Sequence, residues 1–334
     1  MTDILPNKLS RRRFISIVAG CAAIATAPAS ANSASGFKWR GRALGADAEI
    51  IMYATNKRRA RELAMAAVEE IERLEKQFSL YRDDSAMVHL NATGRLAAPS
   101  HDMLSLLDHS NRFSELTGGA FDVSMQPLWA LYAEHFQNPD ANPNGPDPAI
   151  VAQTLDAVDY QAIDIGADAV VLTKPEMALS FNGIAQGYIT DSVARLFQAG
   201  GVHDVLVNLG EFRALGTNRI ADRPWHIGER ARSALTTGDP VFELSNRALA
   251  TSAPSGTMFG PSGQHHHIFD PRTGASATAV QSVTVMAPTA VAADALSTTL
   301  AVVAPAQRAV IIAATKDIEA VIIDNDGIVD RLKS

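Results

Sequence analysis

The second half of the chain alternates short β-rich runs with helical stretches in no repeating order. Residues 205–208, 225–227, 241–244, 266–269 and 282–286 read as strands. Residues 186–197 and 292–303 read as helices, and 318–324 as a terminal strand. A doubly wound parallel fold needs regular strand–helix–strand units. The irregular order therefore predicts an α+β class with mixed sheets and helices.

The first half fits that class. A strand-like stretch over residues 37–54 leads into 57–78, where Leu63, Ala67, Ile71, Leu74 and Phe78 recur at helical spacing with charges between them. That pattern predicts an amphipathic helix lying on a sheet. A second helical pattern over 103–116 stops at Thr117-Gly118-Gly119, a C-terminal cap signal. Residues 138–148 are dominated by Asn, Pro, Asp and Gly and predict a surface excursion between two lobes.

The N-terminus carries a destination. Ser10-Arg11-Arg12-Arg13-Phe14-Ile15 is a twin-arginine pattern, followed by an apolar, small-residue run over 15–29 that is too short for a stable membrane helix. The expectation is a signal peptide over residues 1–31, export of the folded chain by the twin-arginine route, and a periplasmic location. Val18-Ala19-Gly20-Cys21 resembles a lipoprotein processing site, but the apolar run continues past Cys21, so the soluble form is favoured over a lipid anchor. Cys21 is the only cysteine of the 334 residues, so its removal leaves neither a disulfide nor a thiolate metal site. The formal charge of −7 becomes about −10 without residues 1–31, and no Lys/Arg stripe interleaved with aromatics follows them, which argues against nucleic-acid binding.

Four segments carry chemistry. Asn182-Gly183-Ile184-Ala185-Gln186-Gly187-Tyr188 opens a helix after an expected strand over 177–181. Glycines there let the backbone approach a ligand, and free N–H groups at a helix start attract phosphate. In the segment from Thr289 to Thr298, Thr289 is a credible N-cap, which puts Asp294 and Thr298 on one helix face. One carboxylate with neutral oxygens suits Mg²⁺, though a solvated Asp294 is the simpler reading of periodicity alone. His265-His266-His267 precedes an Asp270-Pro271 turn. Alternate side chains of a strand point to opposite faces, so three successive histidines do not all meet one ion, whereas one of them can serve a phosphoryl group. Thr117-Gly118-Gly119-Ala120-Phe121-Asp122 either binds a ring or only turns the chain.

Together and in this order the motifs resemble the ApbE family of FAD:protein FMN transferases from about Trp39 to Asp324. Also matching are Leu44-Gly45-Ala46, Phe78-Ser79-Leu80-Tyr81-Arg82-Asp83-Asp84-Ser85, Pro127-Leu128, Val207-Asn208-Leu209-Gly210 and Ala250-Thr251-Ser252. The resemblance implies one ApbE-like domain over 37–334, two-lobed, with a cleft between the lobes that holds FAD and Mg²⁺. It implies metal ligation by Asp294, Thr298 and the carbonyl of Gly183. Leu44, Tyr81, Ala120, Phe121, Asp122, Ser180, Gln186 and Phe269 would line the FAD, and His267 and Asp294 would be catalytic. The implied reaction moves FMN from FAD onto a Thr or Ser hydroxyl of an acceptor flavoprotein and releases AMP.

The chain departs from the family at four places. Ser180 stands for the usual Asp, and Gln186 for Lys or Glu. Gly210-Glu211 replaces a Gly-Gly-Asp and is one residue shorter, and Thr251-Ser252-Ala253 replaces Thr-Ser-Gly. The stretch from Asn208 to Arg213 and the twin arginines resemble the NosX branch linked to nitrous oxide reductase maturation, whose acceptor would be a membrane flavoprotein such as NosR. Two other readings use the same residues: an FAD pyrophosphatase, in which water replaces the hydroxyl, and a non-catalytic FAD-binding protein.

Overall fold

The computed structural model describes residues 21–22, 36–43, 46–53, 56–229, 241–260 and 262–334. Nearly all of the expected signal peptide, and Leu44, lie outside the described residues.

Eight strands form the main sheet, in the spatial order Val329–Lys333, Glu319–Asp324, Val280–Ala287, Ala248–Ser252, Phe212–Leu215, Val205–Asn208, Ala46–Tyr53 and Gly36–Ala43. Every ladder in it is antiparallel. Alternation along the strands divides its side chains between two faces. Ile50, Met52, Val205 and Val207 join a core with helices α1 (Lys57–Phe78) and α6 (Ala185–Ala199). Ala248, Ala250, Val283, Val285, Ala320 and Ile322 join a second core with α7 (Ala290–Val302) and α8 (Pro305–Ala313). On the opposite face Leu206, Leu249, Met286 and Val321 pack with Trp225, Ile227, Phe242 and Leu244 of the antiparallel pair Trp225–Glu229 and Val241–Leu244. Both faces of the sheet are covered, so its central strands are apolar on both sides rather than half polar.

Helix α1 spans the predicted residues. Asn56 accepts hydrogen bonds from the amides of Arg58 and Arg59 to start it, and its apolar stripe is buried. Helix α3 (His101–Thr117) starts at the Ser100 cap and ends with Gly118 in the left-handed region, φ 61°, which the absence of a Cβ permits. The 138–147 segment is a series of turns in which Asn138 and Asn142 side chains accept from amides two residues on, and Asp147 caps α5 (Pro148–Leu155). Helices α2 (Ala86–Thr93) and α4 (Gln126–His135) complete the set used below.

Three expected strands differ. Residues 177–181 are extended but carry only an isolated parallel bridge between Met125 and Ala178. The Asn91 side chain takes the place of a neighbouring strand, donating to Leu179 O at 2.9 Å and accepting from Leu179 N at 2.7 Å. In the 266–269 run only His266 belongs to a ladder, the short pair His265–His266 with Met258–Phe259, and Phe269 makes an isolated bridge to Ser276 across the Asp270 turn. The 318–324 strand is not terminal: a turn with Gly327 at φ 80° returns the chain as Val329–Lys333.

Candidate active site

The starts of α6 and α7 lie against each other and define the site. Each helix has N-terminal amides with no partner of its own, and each is capped by a carboxylate from the other. Asp191 on α6 accepts from Ala290 N and Val291 N, both at 3.0 Å. Asp294 on α7 accepts from Gly187 N at 2.9 Å. The exchange requires close backbones. A Cβ on Gly187 would stand 2.3 Å from the Ala290 carbonyl oxygen, so only glycine fits there. A Cβ on Gly183 would lie 3.2 Å from Thr298 Oγ1, which places the glycine turn beside that hydroxyl. Thr289 caps α7 as predicted, accepting from Ala292 N.

Asp294 is not a solvated helix residue: it is 4% exposed. Burial raises its pKa above the usual carboxylate range, and the Gly187 amide only partly offsets this. Glu211, 7% exposed, lies on the same cleft. Burial and the charge of Asp294 push its carboxyl well upward, against one hydrogen bond from the Thr251 backbone. Its Oε2 is buried without a partner. Thr298 Oγ1 and Ser297 Oγ both meet Ser252 Oγ, at 3.2 and 2.8 Å, which ties α7 to the central strand Ala248–Ser252.

The cleft in front of these groups encloses about 1040 Å³, counting the part open to solvent. It brings together Tyr81, Ala120, Phe121, Asp122, Ser180, Gly183, Gln186, His267, Phe269, Asp294 and Thr298, which are all the sequence-predicted site residues except Leu44. Their settings differ. Tyr81 presents an exposed ring at the mouth, and its hydroxyl bonds the Asn182 side chain. Asp122 is committed to its own turn, accepting from Ser124 N, Ser124 Oγ and Tyr160 N, so it shapes the wall. Ser180 is held by its amide on Val123 O at 2.7 Å. The amide of Gln186 rests over Gly210, where a Cβ would stand 2.6 Å from Gln186 Nε2, so the missing side chain leaves that space open. Phe269 packs into an aromatic wall with Tyr132 at 4.8 Å and Phe259 at 6.0 Å between centroids.

The three histidines go to three places. His265 lies against the rings of Tyr132 and Phe136, and His266 is buried with Nε2 on the Ala277 carbonyl. Only His267 lines the cleft. Burial pushes its pKa down to about 4, so it is neutral at pH 7. Its Nδ1 lies 3.1 Å from Thr257 O and 3.2 Å from Thr257 N. Donation to the carbonyl leaves Nε2 as an acceptor suited to a base, and the other tautomer makes Nε2 a donor suited to phosphate.

Among the described residues lining the cleft are three acids, Asp122, Glu211 and Asp294, and no Lys or Arg. Two of the acids are buried with less hydrogen bonding than a carboxylate can accept, and neutral hydroxyls stand beside them. Hard oxygen donors of this kind fit a Mg²⁺ that completes its shell with water and phosphate oxygens. Glu211 lines the cleft as well and was not among the residues expected from the sequence. Its signal was the shortened glycine motif at Gly210-Glu211, which registers only as a departure until the fold is known.

The ApbE family pattern matches residues 44–322. A protein of Haemophilus influenzae named FAD:protein FMN transferase is 31% identical over 251 residues, covering 70% of this chain and 71% of that one. A Treponema pallidum protein of the same name is 29% identical over 312 residues, covering 83% and 84%. The solved structure of the flavin transferase ApbE from Vibrio cholerae aligns with a TM-score of 0.76 at 25% identity, over 90% of this chain and 98% of that one. The matched span contains the glycine turn, the crossed helices and the histidine of the cleft, and the chain belongs to the ApbE family.

Proposed function

We propose that this chain transfers FMN from FAD to a Thr or Ser hydroxyl of an acceptor flavoprotein, with Mg²⁺, and releases AMP. The observation that carries the reading is the charge of the cleft: carboxylates and no Lys or Arg among its described lining. A diphosphate enters such a cleft only with a cation that offsets the negative charge. Asp294, Thr298 and the Gly183 carbonyl would hold that ion, which would neutralise charge on the phosphates as it develops.

The protein's own groups account for the rest. Tyr81 and Phe121 offer ring faces to an isoalloxazine. The neutral His267 takes the proton of the acceptor hydroxyl as its oxygen bonds the FMN-side phosphorus, and the bridging oxygen leaves with AMP. General-base help of this kind is worth about 10²–10⁴-fold. The family name of the relatives supports transfer over hydrolysis. The twin arginines at Arg11-Arg12 support export and a periplasmic acceptor, with a NosR-like membrane flavoprotein as the first candidate.

Co-expression with candidate acceptors tests the reading by mass spectrometry. The expected product is an FMN adduct on one Thr or Ser, and Asp294→Ala should lower its yield by about 10²–10³-fold or more. Rapid release of free FMN from FAD and Mg²⁺ with no acceptor present would instead favour a pyrophosphatase.

A further inference from the structure

We propose that Glu211 supplies the second carboxylate of the cation site, facing Asp294 across the cleft with its unpartnered Oε2. The inference rests on the Mg²⁺ reading above and extends it to a residue outside the Asp294, Thr298 and Gly183 set.

Glu211 lies in the turn between the strands Val205–Asn208 and Phe212–Leu215, next to Gly210. Its side chain is more than nine-tenths buried, yet only the Thr251 amide bonds it, and Oε2 meets no donor. A structural glutamate in such a position would be expected to have a guanidinium or further amides, as Asp191 has. Instead it shares the lining of the cleft with another carboxylate, Asp294, and with no Lys or Arg. Two buried acids that repel each other and open on the same cleft are unfavourable in an empty protein. They become favourable once a divalent cation lies between them. A site with one carboxylate leaves Mg²⁺ half neutralised, whereas two make the loaded site neutral before the diphosphate binds.

The test is Mn²⁺ binding to the full mature protein, read from the loss of the free-ion EPR signal, with and without FAD. Wild type should bind Mn²⁺ in the presence of FAD. Glu211→Gln should weaken that affinity by about 10- to 100-fold, and Glu211→Asp should retain more of it than Glu211→Gln. In metal-free buffer Glu211→Gln should melt at the wild-type temperature or above, because removing one of two repelling acids does not weaken the empty fold. A structural glutamate would give a lower melting temperature and unchanged Mn²⁺ affinity, and that result overturns the inference. If Asp294→Ala loses Mn²⁺ while Glu211→Gln binds it as wild type does, the cation site stands without Glu211. If wild type binds none, the Mg²⁺ reading itself fails.

Discussion

Asp191 and Asp294 occupy matching places at the crossing of α6 and α7, each capping the other helix, yet their surroundings are opposite. Asp191 accepts two amides and has Arg213 at 3.4 Å. Burial lifts its pKa, while the two amides and Arg213 draw it back. Asp294 accepts one amide and faces Glu211. A carboxylate supplied with donors by its own chain holds the fold together, and one left short of them is kept for a ligand. The same contrast separates Asp122, with three internal donors, from Asp294 and Glu211 on the same cleft.

The largest effect should come from breaking the satisfied member. Asp191→Ala strips the Ala290 and Val291 amides of their acceptor, leaving only the Thr289 cap on α7, and leaves the partly buried Arg213 without its anion, which should cost about 3–5 kcal/mol in urea unfolding. Asp294→Ala relieves repulsion with Glu211 while losing one amide contact, so its unfolding free energy should move by less than about 1 kcal/mol while transfer disappears. Equal destabilisation by both substitutions would erase the distinction between the two acids.

A third buried group sharpens the contrast through pH. The folded pKa of His267 is about 4, below its ordinary 6.5. Between those values the unfolded chain binds the extra proton, so stability is intact above pH 6.5 and is lost as pH falls toward 4. At 1.36 kcal/mol per pKa unit the loss is at most about 3 kcal/mol, less where cleft water reaches the ring. His267→Gln should show a flatter acid limb in chemical denaturation between pH 7 and 4.5. Identical limbs for the two proteins would mean that the histidine ring is solvated.

The long amphipathic helix α1 was legible because burial follows its 3.6-residue period, and the α3 stop because Thr117-Gly118-Gly119 is local chemistry. Ala248–Ser252, in the middle of the sheet, was not read as a strand. Its residues are small because α7 lies directly on them, so it lacks the branched and aromatic signature of a strand. The burial of Asp294 was not legible: periodicity alone favoured a solvated residue, and only the family resemblance implied a place in the site. Its burial comes from Gly187 and the α6–α7 crossing, a contact between residues 107 apart in the chain. Glu211 was opaque for the same reason: nothing near it in sequence says that its carboxylate ends beside Asp294.

A substitution at the crossing itself tests whether the reciprocal capping is one unit. Gly187→Ala places a methyl against the Ala290 carbonyl, where neither partner is a flexible side chain, so the two helix starts must separate. The cost should be about 1–3 kcal/mol. The separation should act on both acids at once, lengthening the Gly187–Asp294 hydrogen bond and the Asp191 contacts to α7. Stability and Mn²⁺ affinity should therefore fall together in this variant, whereas Asp294→Ala moves affinity with little change in stability. A Gly187→Ala protein that loses stability but binds Mn²⁺ as tightly as wild type would show that the metal-facing acid is positioned by α7 alone. The exchange of caps would then be a packing feature and not part of the site.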